Sequence, residues 1–223
     1  PNHRMLVRQC HDDGTAYGEW EVKRADEITG TVCFRSTGEW VGKDSGKKLT
    51  VGKRTISLDD YLVLGGMYVS EGRIENYGRD KPLVRFDLNR LAADCERVDR
   101  VFSGFFRKEV VSDCVLFYSP DRDLRSRLMD DFGDSITKAI PQWVRFLPRE
   151  RLYKFVYGMM LGRSFSANKK VRLAEHRRMY MAYTEEIADS LQEIVWKLGI
   201  PSKRIDIKEK NLYCVRWKEN EDH

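Results

Sequence analysis

Tyr61-Leu62-Val63-Leu64-Gly65-Gly66-Met67-Tyr68-Val69-Ser70-Glu71-Gly72 has an echo about ninety residues later, Phe155-Val156-Tyr157-Gly158-Met159-Met160-Leu161-Gly162-Arg163-Ser164. Each stretch reads as an apolar helix too short to span a membrane, small on one side, with a stop signal at its end. Superimposing Leu64–Gly72 on Val156–Ser164 sets Gly66 over Gly158 and Glu71 over Arg163. Both stretches carry glycines, and small residues are what let two helix backbones approach closely.

Both stretches resemble the LAGLIDADG motif of homing endonucleases. The resemblance implies an α+β, pseudo-twofold fold, in which two αββαβα-like halves form a DNA-binding saddle. It also implies metal-dependent hydrolysis of phosphodiesters in a long duplex target, each motif helix delivering its last acidic side chain to one scissile phosphate with Mg²⁺ between them. On that reading Glu71 is a catalytic metal ligand, Gly162 contributes at the facing helix end, and Arg163 stands where the second acid belongs. A carboxylate at a helix C-terminus is disfavoured unless a cation neutralises it, and a divalent ion does so while acidifying a bound water. A guanidinium cannot ligate a metal and sits comfortably beside helix carbonyls without one. Cleavage is therefore expected to be impaired or biased to one strand. The alternatives are a non-cleaving DNA-binding protein on the same scaffold and an RNA maturase.

The surrounding pattern repeats with the motif. Ser57 is expected to cap the first helix, strands to cover Arg73-Ile74 and Leu83 to Phe86, a helix Leu91 to Phe102, a strand Val110 to Tyr118, and a helix Asp121 to Phe132 stopped by Gly133. Lys138, in the approach to the second motif helix, is the residue that the family resemblance places near the active centre. The second half is read as a motif helix Lys154 to Leu161, strands Lys170 to Leu173 and Arg178 to Tyr183, a helix Glu185 to Leu198 capped by Thr184, and closing strands Arg204 to Lys208 and Leu212 to Trp217. That last strand either closes the sheet or returns to the N-terminal segment. The halves are expected to span 57–140 and 141–223.

With 223 residues and 41% hydrophobic content the chain can bury a substantial core. A net charge of +5 says little by itself, but its distribution says more. Between Arg149 and Tyr183 nine cations face only Glu150 and Glu175, with Phe165, Tyr180 and Tyr183 interleaved. Such a run is either a solvated face or a surface that tracks phosphates. Candidate contacts to double-stranded DNA are Arg79, Lys81, Arg85, Lys169, Lys170, Arg172, Arg177, Arg178 and Tyr180. The internal repeat supplies the symmetry that single-motif relatives obtain by dimerising, so a monomer is expected.

The five cysteines, Cys10, Cys33, Cys95, Cys114 and Cys214, share no Cys-X-X-Cys spacing and are read as reduced. No apolar run reaches membrane-spanning length, and Pro1-Asn2-His3-Arg4 does not open a signal peptide, so an intracellular setting in a microbial or phage-infected host is expected. Residues 1–50 read as strands and turns followed by a Gly- and Lys-rich linker, Glu39 to Thr55, that lacks a complete phosphate-loop pattern. His3 and Ala25-Asp26-Glu27-Ile28 resemble elements of an intein (Hint-like) splicing domain, which implies a histidine that polarises a splice-junction amide. Pro1 and Asn220-Glu221-Asp222-His223 supply neither the splicing nucleophile nor the His-Asn pair, so a partial segment with splicing termini outside this sequence, and an unknown host protein, is the expectation.

Overall fold

The computed structural model describes residues 4–13, 15–34, 40–43, 46–76, 82–89, 96–111, 114–163 and 177–218. It divides into two units, Pro1–Glu39 and Trp40–His223.

The first unit is a three-stranded antiparallel sheet. Its strands β1 (Arg4–Cys10), β2 (Ala16–Arg24) and β3 (Val32–Phe34) lie in the order β2-β1-β3, and a 3₁₀ turn Ala25–Glu27 follows β2. The Glu27 carboxylate accepts from the Arg24 amide at 3.0 Å, which closes that turn. Cys10 and Cys33 are joined by a disulfide, correcting the expectation that all cysteines are reduced. The antiparallel pairing of β1 with β3 brings their Cα atoms to 5.9 Å, a relation set by strand order and invisible in the spacing of cysteines along the chain. Cys114 and Cys214 are free thiols.

In the second unit, the stretch expected to be a linker forms a hairpin of β4 (Lys48–Val51) and β5 (Arg54–Ser57), turning at Gly52 with φ +58. Upstream of it, the Trp40 indole donates to the Leu147 carbonyl at 2.8 Å, and the Lys197 ammonium lies 4.0 Å from the centre of the indole ring. Trp40 thus anchors residues 40–43 to the second half.

Helix α1 (Leu58–Ser70) starts where Ser57 Oγ accepts the Asp60 amide at 3.0 Å. From Tyr61 to Ser70 every residue is buried, as expected of a helix that is apolar all round. Then come β6 (Arg73–Asn76), β7 (Pro82–Asn89), α2 (Glu96–Phe102), β8 (Arg107–Val111), β9 (Cys114–Ser119) and α3 (Arg122–Phe132). The single strand expected over Val110 to Tyr118 is two, paired as a hairpin from Arg107↔Tyr118 to Val111↔Cys114. The sequence carries a break there, the polar pair Ser112-Asp113 between two apolar runs, which a single strand overlooks. Asp121 caps α3 through the Leu124 amide, and Gly133 ends it with φ +83. The sheet order is β6-β7-β9-β8. Its inner face carries Phe86 and Phe117, which pack with Phe102 and Phe106 at ring separations of 4.5–5.4 Å.

The short helix α4 (Gln142–Arg145) leads into α5 (Arg149–Arg163), which begins earlier than the sequence pattern indicates because its first turn is polar. Strand β10 (Arg177–Ala182), helix α6 (Glu185–Lys197), β11 (Ser202–Ile207) and β12 (Leu212–Lys218) complete the half, with sheet order β10-β12-β11. Leu212 to Lys218 therefore closes the second sheet as its central strand. Thr184 caps α6, accepting the Ile187 amide at 3.3 Å, and Gly199 follows its C-terminus with φ +77. The strand expected at Lys170 to Leu173 and the start of the helix expected from Leu91 lie outside the described residues.

Candidate functional site

Helices α1 and α5 are joined through their glycines. A Cβ built on Gly66 would lie 2.2 Å from the Phe155 carbonyl oxygen, and one on Gly158 would lie 2.2 Å from the Val63 carbonyl oxygen. Phe155 and Val63 are themselves counterparts under the offset of 92 residues that relates Gly158 to Gly66. The contact is reciprocal, as an internal twofold requires. A third pair under the same offset, Asp59 and Arg151, forms an ion pair at 3.6 Å near the two helix N-termini. With their N-terminal turns joined and their middles in backbone contact, the two helices run in the same sense. Their C-terminal residues, Glu71 after α1 and Arg163 closing α5, leave on the same side of the pair.

Phe132 holds this arrangement from α3. Its ring lies 5.9 Å from that of Tyr61, 6.5 Å from Tyr68 and 5.9 Å from Phe155, so it touches both motif helices. Gly65 leaves it room, since a Cβ there would meet the Phe132 ring at 2.4 Å. The Tyr61 hydroxyl donates to Asp131 at 2.6 Å, and Arg127 donates to the same carboxylate oxygen at 2.7 Å. Burial, then the Asp131 carboxylate, pushes the Tyr61 phenol far above its ordinary range.

Glu71 is the C-cap residue of α1, and its amide donates back to the Met67 carbonyl at 2.8 Å. The loop after Gly133 is strapped over this end. The Tyr68 hydroxyl donates to the Gly133 carbonyl at 2.9 Å, and the Ile74 amide donates to Ser135 Oγ at 2.9 Å. Lys138 donates to the Gly72 carbonyl, and its ammonium lies 5.1 Å from the centre of the Tyr68 ring. A cation suits the negative end of a helix dipole, and the contact puts Lys138 beside the residue that follows Glu71. Burial raises the Tyr68 phenol, the nearby Asp134 adding to the effect. Ser70, immediately before Glu71, is buried with an unpartnered hydroxyl. Gly162 and Arg163 form the last turn of α5.

The sheets carry the remaining candidates. In β7, Val84, Phe86 and Leu88 are buried, while Arg85 and Asp87 face away from that core. Strand register aligns Arg73, Arg85, Tyr118 and Arg107 in one row across all four strands of the first sheet. Only Arg85 of that row was expected from the sequence. The others depend on pairing between distant strands. In β10, Tyr180 is buried and Met179 exposed, which corrects Tyr180 as a DNA-facing residue: the pleat turns it to the helices. Arg177 and Arg178 lie in the same strand, where Arg177 pairs with Lys218 and Arg178 with Trp217. His3, Arg79, Lys81, Lys169, Lys170 and Arg172 lie outside the described residues.

No protein-family model matches the sequence, and neither does the sequence of any curated protein. Solved structures do match. A structure of mesophilic variants of the homing endonuclease I-DmoI is similar with TM-score 0.53 and 8% identity, covering 72% of this chain and 89% of that one. A variant of I-DmoI in complex with its target DNA in the presence of magnesium gives TM-score 0.52 over the same shares, also at 8% identity. I-DmoI in complex with DNA and calcium gives TM-score 0.51 at 7% identity, over 72% of this chain and 83% of that one. The fold is that of the LAGLIDADG homing endonucleases. Within this fold α1 and α5 are the paired central helices, joined by the glycine contacts described above. Among the described residues no group of three His, Cys, Asp or Glu side chains is placed to hold a metal ion, and no helix is long and apolar enough to cross a membrane.

Proposed function

We propose that this chain is a site-specific DNA endonuclease of the homing type with one complete catalytic half, cutting one strand of its target faster than the other. The observation that carries this reading is the asymmetry at the paired helix ends: Glu71 capping α1, with Lys138 bonded to the neighbouring Gly72 carbonyl, and Arg163 at the equivalent place on α5. Double-stranded DNA is the partner, bound by a monomer through the outer faces of the two sheets, and unit 1 is a partial Hint-like segment whose support is the turn at Ala25–Glu27.

The donor set fits a hard divalent ion on the α1 side. Magnesium keeps several waters and takes one or two carboxylates plus substrate phosphates, so a lone Glu71 with a backbone carbonyl at Gly162 is an adequate protein share. When bound, the ion acidifies a water and screens the phosphate. Lys138 adds a fixed positive charge at the same end, and Arg163 offers phosphate binding without metal ligation. A non-cleaving DNA-binding protein is the second reading, favoured by that same Arg163.

The test is a plasmid bearing a target selected from a randomised duplex library, assayed for nicked and linear forms with Mg²⁺ and with Ca²⁺. Nicked circles should accumulate with Mg²⁺, and Glu71→Gln should abolish them while binding stays within about twofold of the unmodified protein. Selective binding with no Mg²⁺-dependent product would leave the second reading standing.

A further inference from the structure

The outer faces of the two sheets differ in how their cations are partnered. On the first, Arg73 Nε lies 3.0 Å from Glu75, and Arg85 Nη1 lies 3.1 Å from the other oxygen of the same carboxylate. Arg85 Nε donates to Asp87 at 2.7 Å, and Arg73 pairs with Asp87 as well. Four side chains thus close a ring of zero net charge, beginning two residues beyond Glu71. On the second sheet the corresponding face carries the row Met179, Arg216, Lys203, with Met181, Cys214 and Ile205 in the row beside it. Both cations are exposed, and among the described residues no acid shares that face.

We propose that Glu75 and Asp87 are specificity-determining residues of the DNA interface. They hold Arg73 and Arg85 away from phosphates, so that this part of the first sheet engages a duplex only where base edges replace the ring's own bonds, while Arg216 and Lys203 on the second sheet, like the exposed Arg107 at the far edge of the first, grip the backbone without regard to sequence. This rests on the reading that both sheets bind DNA.

The chemistry follows from what each group can exchange. A phosphate approaching the ring must displace two carboxylates and remain beside them, like charge against like. The edge of a G·C pair presents no such conflict. Guanine N7 and O6 accept from an arginine fork, and the cytosine amino group donates to a carboxylate, so the ring offers both halves of the match. Among the described residues Arg216 and Lys203 have no acidic partner to lose on meeting a phosphate, and each contact releases condensed counterions.

The experiment measures binding of the full chain to a random-sequence duplex pool by fluorescence anisotropy across a KCl series, with thermal melts to verify folding. Glu75→Gln with Asp87→Asn should bind the pool about tenfold more tightly near 0.1 M salt, and its log–log salt slope should steepen by about two. Arg216→Ala with Lys203→Ala should weaken pool binding about tenfold and flatten the slope by about two. Arg73→Ala with Arg85→Ala strips Glu75 and Asp87 of their partners and should weaken pool binding through repulsion, but should flatten the slope by less than about one, because no phosphate contact is lost. The proposal is overturned if neutralising the acids fails to tighten pool binding, or if removing Arg73 and Arg85 flattens the slope as much as removing Arg216 and Lys203. If the acid variant does not fold, the arginine pair decides. A chain that binds no duplex at all would sink the DNA-binding reading itself, a result distinct from binding with the arms reversed.

Discussion

Arg163 is the residue on which the proposed chemistry turns. Replacing it by aspartate restores a carboxylate at the end of α5, where the helix dipole disfavours an anion unless a cation is present. Arg163→Asp should therefore raise second-strand cleavage in Mg²⁺ and convert nicked plasmid to linear form, a change read on the same gel. In the proposed reaction Lys138 acts on the other side. Its contact with the Gly72 carbonyl fixes an ammonium beside Glu71, and removing a preorganised charge of this kind slows chemistry by about 10²-fold. Lys138→Met should lower the nicking rate by that order with little change in target affinity. An equal loss of binding and rate would mean that the lysine holds the loop and does not assist the reaction.

Among the elements, α1 and α5 approach each other backbone to backbone. A methyl group on Gly158 would sit 2.2 Å from the Val63 carbonyl oxygen, and a backbone cannot step aside as a side chain can. Overpacking of this kind costs about 1–3 kcal/mol, and here the upper end applies because a whole helix must move. Gly158→Ala should lower the urea midpoint accordingly without altering the denaturant slope. The strap from Gly133 to Lys138 is sensitive to acid instead. Its Asp134 carboxylate is held below the ordinary 3.8 by the Thr137 and Ile136 amides, each at 2.8 Å, and by the Thr137 hydroxyl. A depressed carboxylate contributes order above its unfolded pKa and loses it as pH falls through the lower folded value. Amide protection of Ile136 and Thr137 should thus fall only below pH 3.8, measured by hydrogen exchange corrected for intrinsic rates, and a midpoint at or above that value would contradict the assignment.

At the scale of the molecule, the internal twofold already provides what a dimer axis would. Gly66 against Phe155 and Gly158 against Val63 meet within one chain. Sedimentation equilibrium should report a single species of 26.2 kDa at micromolar concentration, with and without Mg²⁺. A species of twice that mass would require another interface. Elsewhere the chain resists unaided reading: the disulfide between Cys10 and Cys33 ties two strands whose adjacency follows from the order β2-β1-β3. A sheet this small has little core of its own, and a covalent tie restricts its unfolded state.

What the sequence determined by itself is local. Apolar residues at helical spacing, glycines where two backbones meet, and capping residues at Ser57, Asp121 and Thr184 are properties of short stretches, and all appear in the structure where the chain indicates them. The repeat added one long-range relation, because two copies of the same helix are each other's natural partners. Tertiary structure alone decided the rest. Tyr180 faces the core, and Arg73, Arg85, Tyr118 and Arg107 share a row. Each of these depends on register between strands, and a shift of one residue along a strand turns every side chain to the opposite face. No property of the isolated stretch records that choice; the packing of Phe86, Phe117 and their neighbours beneath the sheet enforces it.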